Sequence, residues 1–430
     1  MKFRVEHEAL AEAVGWMARA LPSRPVVPVL SGLRLAAGGD GLTLSCFDYE
    51  VSALARIGAD VAEPGTVLVP GRLLAEITRS LPAEPAEFTS DGEVVTLSCG
   101  SAEFELVALP LAEYPAVPGP PPAAGTIDGG ELAAAIGQVL PAASRDDTLP
   151  MLTGVCLDID GETMSLAATD RYRLAVREAR WSPARPGLRA AALVPGRTLA
   201  DAARTMTAGV PVTVSFQPGD DPGEDGAASR GASRPGRDAP RPAEGMISFE
   251  SGERRLATRL IGGEFIRYQS RFPESFGCRA EVPAASFIEA VRRVSLVADR
   301  ASPVRLAFGP GRVTIEARTE GRARAVETVT ASFHGDQPEI SFNPHYLLDG
   351  LAAAAAGDPA RHAPGSQAAG GEEPESGGGG ETPAPPGMIR LEFTSPAKPA
   401  LITWAGGQEE TGTGAGFRYL VVPLRPPVPG

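Results

Sequence analysis

Apolar and polar positions alternate along this chain in short runs, and the runs recur. Between Thr148 and Val176 two strand patterns, Val155–Ile159 and Thr163–Ala168, flank an Asp160-Gly161 turn signal. A polar segment, Thr169-Asp170-Arg171-Tyr172-Arg173-Leu174, follows. A fainter copy lies 122 residues earlier, where Val27-Pro28-Val29-Leu30-Ser31-Gly32-Leu33 matches Leu149-Pro150-Met151-Leu152-Thr153-Gly154-Val155 in kind. The same offset carries Asp48 onto Asp170. Helical spacing appears three times: Leu10, Val14, Met17 and Leu21 within His7–Leu21; Leu132, Ile136, Val139 and Ala143; and Phe287, Val291, Val294 and Ala298. A pair of strands follows each stripe, and then a shorter helix opened by proline at Val69-Pro70, Val194-Pro195 and Asn343-Pro344. The pattern predicts three modules of roughly 120 residues, each with two helices and several antiparallel strands. The third keeps the strand rhythm between Leu306 and Ala325 but lacks the Leu-Ser/Thr-Gly and Thr-Asp signatures.

Proline-rich joints at 115–125 and around 272–278 divide the chain into predicted domains at 1–120, 126–275 and 279–430. Two segments, about 219–245 and about 354–387, are rich in Gly, Pro, Ala and acidic residues and carry no apolar period. They read as disordered insertions.

Composition narrows the function. With 430 residues, 43% of them hydrophobic, there is material for several cores. A net charge of −13 excludes coating nucleic acid with the whole surface, but not contact through one basic face. Lys2 and Lys398 are the only lysines, so such a face must be built of arginine. Cys46, Cys99, Cys156 and Cys278 show no metal-ligand spacing and read as reduced thiols. His7, His334, His345 and His362 are scattered, and no phosphate loop, nucleophile elbow or dinucleotide fingerprint occurs. Asp170-Arg171-Tyr172 reads as an ion pair in a turn rather than acid–base machinery. Neither an enzyme nor a cofactor or metal is expected. The absence of a signal-peptide pattern and of a long apolar run predicts a cytoplasmic protein that does not engage membranes.

Several segments in order, Ser144-Arg145-Asp146-Asp147-Thr148-Leu149-Pro150, Ala167–Val176, Gly263-Glu264-Phe265, Ala298-Asp299-Arg300, Phe342-Asn343-Pro344 and Tyr419–Arg425, resemble the bacterial sliding clamp, the beta subunit of DNA polymerase III. The likeness is strongest to actinobacterial members and covers the chain outside the two insertions. It implies an α+β fold with three copies of the DNA-clamp domain. Two chains would close head to tail into a ring-shaped homodimer, with helices lining the hole and sheets outside. It implies no catalysis. The ring would encircle double-stranded DNA without reading sequence and give the replicative polymerase its processivity.

The resemblance also implies a groove in which polymerase, clamp loader and repair proteins dock linear motifs. Carried over, that groove comprises Leu152, Thr169, Arg171, Tyr172, Arg173, Leu174, Ile266, Asn343, Tyr346, Leu420 and Val422. Read from pattern alone, Leu152, Leu174 and Val422 fit a core equally well. Arg24 matches a DNA-contacting position of the family. Arg79, Arg145, Arg204, Arg292, Arg293 and Arg300 are DNA-contact candidates by placement on or beside helices, with a solvated helix face as the alternative. Phe104 and Leu106 would meet the region of Leu296 across the dimer interface, or else belong to the core. Ile266, Val422 and Arg271 depart from the usual residues, which raises a second clamp paralogue with altered partner or inhibitor binding, including antibiotic tolerance. A clamp-fold scaffold not loaded on DNA is the further alternative.

Overall fold

The computed structural model describes residues 1–39, 41–217, 245–299, 302–319, 321–336, 339–357, 387–405 and 416–424. The helices follow the predicted stripes but end before their last members, Leu21, Ala143 and Ala298. In α1, His7–Ala20, the stripe Leu10, Ala13, Val14, Trp16 and Met17 is buried. Each fully buried large apolar side chain of this kind contributes about 1.5–3 kcal/mol. The other helices are α2 (Gly71–Ser80), α3 (Gly129–Val139), α4 (Pro150–Thr153), α5 (Gly196–Ala203), α6 (Ala284–Ser295) and α7 (Pro344–Ala355). The proline-led helices α2, α5 and α7 differ in how they start. Pro70 and Pro195 precede α2 and α5 without a side-chain cap, whereas Asn343 accepts hydrogen bonds from the backbone N–H of His345 and Tyr346 at the head of α7.

The chain falls into two compact units. The first comprises Met1–Ala133, Asp160–Glu162 and Trp181–Gly262, and the second Ala134–Ile159, Thr163–Arg180 and Gly263–Gly430. The first unit holds a five-stranded sheet in the order Asp60–Glu63, Lys2–Val5, Ala86–Ser90, Val94–Cys99 and Ala102–Val107. It also holds a nine-stranded sheet in the order Ser182–Pro183, Ala123–Asp128, Pro211–Gln217, Met246–Ser251, Arg254–Arg259, Val51–Ile57, Gly41–Phe47, Gly32–Gly38 and Gly65–Pro70. In the second unit one sheet runs through Gly154–Asp160, Thr163–Thr169, Arg173–Arg180, Phe417–Val421, Ala400–Trp404, Met388–Phe393, Cys278–Pro283 and Ser332–His334. A four-stranded sheet orders Ala323–Thr330, Arg312–Thr319, Val304–Gly309 and Glu339–Phe342. Helices α6 and α7 pack together in this unit, as α1 and α2 do in the first.

The repeat seen in sequence is also a repeat of junctions. In the first unit Val51–Ile57 pairs antiparallel with Arg254–Arg259; in the second Arg173–Arg180 pairs antiparallel with Phe417–Val421. Each junction closes on one further bond, Arg259 N–H to Glu50 O (2.9 Å) and Val422 N–H to Tyr172 O (2.8 Å).

Three details depart from the sequence reading. Strand pairing extends through Asp160, so the hairpin loop is Gly161-Glu162, with Gly161 at φ +61° supplying the left-handed backbone. The third module has no Thr-Asp signature, yet it turns at the matching place through Gly321 (φ +69°), closed by Arg322 N–H to Thr319 O. Ala354 and Ala355, placed at the edge of the second insertion, complete α7. The expected disordered stretches within 218–244 and 358–386 lie outside the described residues. Among the described residues no helix is long and apolar enough to cross a membrane.

Candidate functional site

The polar segment after Thr169 is a tight turn built from its own side chains. Asp170 Oδ1 accepts from the backbone N–H of Tyr172 and Arg173, both at 3.0 Å. Thr169 Oγ1 donates to Arg173 O (2.6 Å) and accepts from Arg171 N–H (3.2 Å). This forces Arg171 to φ +79°, a region that side-chain-bearing residues seldom occupy. At the 122-residue offset the backbone is the same: Asp48 Oδ1 accepts from the N–H of Glu50 and Val51, and Tyr49 sits at φ +74°.

The side chains after the shared aspartate differ, Tyr49, Glu50 and Val51 in the first unit against Arg171, Tyr172 and Arg173 in the second, and the last of these matters most. The Arg173 side chain is only 10% exposed. Its Nε donates to Asp170 Oδ2 (2.9 Å) and its Nη1 to Asp349 Oδ2, and its Cζ lies 4.4 Å above the Tyr346 ring centre. Burial alone would lower the guanidinium's proton affinity, but Tyr419, Asp349 and Asp170 around it outweigh burial and raise it. Burial pushes the phenols of Tyr419 and Tyr346 up. Tyr419 donates from its hydroxyl to Tyr346 O (2.8 Å), and Tyr172 stacks on Tyr346 with centroids 6.1 Å apart. Turn, α7 and C-terminal strand are thereby held in one arrangement.

Beside this cluster lies a cavity of about 560 Å³, lined by Leu152, Thr169, Arg171, Arg173, Leu174, Ile266, Ser270, Arg271, Pro399, Leu420 and Val422. Leu174 and Leu420 face each other across the strand pair and are nearly buried, so they serve as core and as floor at once. Ile266 and Val422, 37% and 38% exposed, form an apolar rim. Of the eleven groove residues named from the resemblance, Tyr172, Asn343 and Tyr346 do not line the cavity. Asn343 caps α7, Tyr346 carries Arg173, and Tyr172 is exposed alongside. Sequence reasoning did not find Ser270, Pro399, Asp349 or Tyr419. Asp349 was within reach, since it follows Tyr346 by three positions on one helix face.

The arginines proposed for DNA divide by their company. Arg24 lines a second cavity, about 260 Å³, with Arg19, Arg197, Asp48 and Asp201 in the first unit. Arg24, Arg79 and Arg145 make no ion pair among the described residues. Arg204 lies 3.9 Å from Asp201, Arg292 pairs with Glu289, and Arg293 reaches Glu327 at 2.6 Å. Arg300 lies outside the described residues. Of the interface candidates, Leu296 is 81% exposed and Phe104 half-buried, but Leu106 is 3% exposed. Leu106 is a core residue, because its side of the edge strand faces the sheet's packed face. Among the described residues no group of three His, Cys, Asp or Glu side chains could hold a metal ion.

Family models for the N-terminal, central and C-terminal domains of the DNA polymerase III beta subunit match residues 1–118, 126–266 and 269–358. The chain belongs to that family. A beta sliding clamp of Streptomyces coelicolor is 43% identical over 425 residues, covering 99% of both chains. A protein of Streptomyces muensis named beta sliding clamp homolog GriR is 42% identical over 351 residues, covering 82% of this chain and 88% of its own. The DNA polymerase sliding clamp structure from Bacillus subtilis superposes with a TM-score of 0.79 at 23% identity, covering 99% of each chain, and shows the shared fold. As a member of the DNA polymerase III beta family, the chain consists of three α+β clamp domains and acts as a DNA sliding clamp. It is a non-catalytic processivity subunit, whose partners in general are DNA, a DNA polymerase and further copies of itself.

Proposed function

We propose that the second-unit cavity is where this clamp holds short linear segments of the replicative polymerase, the clamp loader and repair proteins. The observation that carries this is an apolar floor, Leu174 and Leu420, with an apolar rim, Ile266 and Val422, around about 560 Å³. Tyr172 and Tyr346 flank it as stacked aromatics suited to a peptide backbone. The domains run 1–120, 126–275 and 279–430. Two chains close head to tail by joining unpaired sheet edges: Ala102–Val107 ends the five-stranded sheet and Ala323–Thr330 ends the four-stranded one. Both edges carry exposed valines, Val107 (75%) and Val326 (48%), and Leu296 stands exposed at the end of α6. The closed ring encircles duplex DNA, with Arg24, Arg79 and Arg145 as phosphate contacts because their charge is not spent on neighbouring carboxylates. Cytoplasm is the compartment this role requires.

Ile266→Ala with Val422→Ala, both at the rim, should weaken a clamp-binding peptide at least about tenfold by fluorescence anisotropy while leaving the dimer intact. Unchanged affinity would move docking elsewhere. Clamp loaded on nicked circular DNA should be lost on linearisation; equal retention on linear DNA would sink the sliding ring.

A second reading, a paralogue with altered partner or inhibitor binding, draws on Arg271 in the groove wall and on near-equal identity to a clamp and to a clamp homolog. Gene deletion separates the two, since a principal clamp is indispensable and a spare one is not.

A further inference from the structure

The turn at Asp170 does not need the ion cage built on it. At the 122-residue offset Asp48 Oδ1 makes the same two backbone bonds, and Tyr49 the same left-handed step, with Val51 where Arg173 stands. The start of α7 does not need the cage either, since Asn343 supplies that cap. Yet Asp349 on α7 reaches back to Arg173, and taking paired charges out of water is costly. A buried ion pair that neither element requires points to a use beyond local structure.

Arg173 stands between two environments. It lines the cavity beside Leu174 and Leu420, while its guanidinium sits in the cage with Asp170 Oδ2, Asp349 Oδ2 and the Tyr346 ring around it. The two carboxylates differ. Asp170 belongs to the same turn and moves with Arg173, whereas Asp349 belongs to a helix 176 positions away. Asp349 is 43% exposed at its side chain, against 10% for Arg173, and it does not line the cavity. Without Asp349, Nε keeps Asp170 but Nη1 is left with only the Tyr419 hydroxyl at 3.5 Å. A buried cation short of partners seeks water, and the cavity of about 560 Å³ that Arg173 borders offers it.

We infer that Asp349 is a positioning residue for partner binding: by holding the Arg173 guanidinium in the cage, it keeps that head out of the cavity and leaves the leucine floor open. This rests on the cavity being the peptide site. Asp349 touches no partner itself and acts only through Arg173. A peptide binds the open arrangement and not the blocked one, so its apparent affinity falls with the open fraction. A head that spends about nine-tenths of its time in the cavity weakens binding about tenfold. The loss falls on association, because a bound peptide excludes the head and leaves at its ordinary rate.

The test uses the full chain and a fluorescein-labelled hexapeptide with a Leu-Phe pair, followed by stopped-flow anisotropy. Asp349→Ala should bind it about tenfold more weakly, through slower association with dissociation unchanged. Asp349→Asn, which keeps the shape and an acceptor oxygen without the charge, should show a smaller loss in the same rate. Asp349→Glu should recover most of the affinity. With Arg173→Met there is no head to place, so adding Asp349→Ala to Arg173→Met should change affinity less than about twofold. Unchanged affinity in Asp349→Ala and Asp349→Asn overturns the inference and leaves the groove reading intact. So does a loss that persists beside Arg173→Met, or one that lies in faster dissociation, since either marks a loosened α7 rather than a misplaced head. If no peptide binds the unaltered chain and Ile266→Ala with Val422→Ala changes nothing, the groove reading fails and this inference fails with it.

Discussion

Asp170 performs two tasks with two oxygens. Oδ1 holds the turn through the N–H groups of Tyr172 and Arg173, and Oδ2 neutralises the buried Arg173. The tasks separate by substitution. Asp170→Asn keeps the turn acceptor and removes the charge, whereas Asp170→Ala removes both and leaves Arg173 with Asp349 alone. Urea unfolding should show a loss of about 3 kcal/mol for Asp170→Ala and about half that for Asp170→Asn. Equal losses would mean the turn bonds contribute nothing. The turn itself was legible in the sequence, because Asp48 and Asp170 fall at one offset and an aspartate at that spot caps a turn wherever it recurs. The cage around Arg173 was not, since Asp349 lies 176 positions away and no local pattern announces a partner at that distance. Ser270 escaped for a related reason: the segment from Gly263 to Phe272 has no apolar period to fix which residue faces a cavity. Leu106 shows the converse limit, for alternation puts a residue on one face of a strand without saying whether that face is packed.

Helix α7 is the element that brings the third module's residues to the site. Its start depends on Asn343, and its packing depends on Gly350, where a Cβ would lie 2.4 Å from the Tyr419 ring. Asn343→Ala should cost about 1 kcal/mol, and Asn343→Asp, which keeps the acceptor, almost nothing. Gly350→Ala is expected to destabilise by about 1–2 kcal/mol although alanine is the better helix former, because Tyr419 is fully buried and cannot swing away. Both are read as urea midpoints; a stabilised Gly350→Ala would show that Tyr419 has room to move. The proline-led starts of α2, α5 and α7 were visible in sequence because proline suits a first turn and little else nearby. The hairpin after Ile159 was misplaced by one residue, since Asp-Gly signals a turn without saying which partner is still paired.

At the scale of the molecule, burial sets how the chain answers to alkali and to thiol reagents. Cys46 and Cys156 are pushed up by burial from 9.0 to about 12. Below pH 9 both are protonated whether folded or not, so neither makes stability depend on pH there. From about 9 to about 12 the unfolded chain releases protons that the folded chain keeps, and each thiol removes about 1.4 kcal/mol per pH unit. The urea midpoint should therefore fall between pH 9 and 10.5, and a flat midpoint there would contradict the burial of these thiols. Iodoacetamide at pH 8 should label native protein at Cys278, the one cysteine that is not fully buried, and all four in urea. The unpaired edges at Ala102–Val107 and Ala323–Thr330 have a consequence for complementation. In the head-to-tail contact proposed above the two surfaces are different, so every contact would need one of each, and blocking either kind would break all contacts in a pure sample. Val107→Lys and Val326→Lys should each run as monomers by light scattering. Mixed, the two variants still share one intact pair of edges and should form a dimer by mass with a single joint. Such an open dimer has the right stoichiometry and cannot stay on circular DNA.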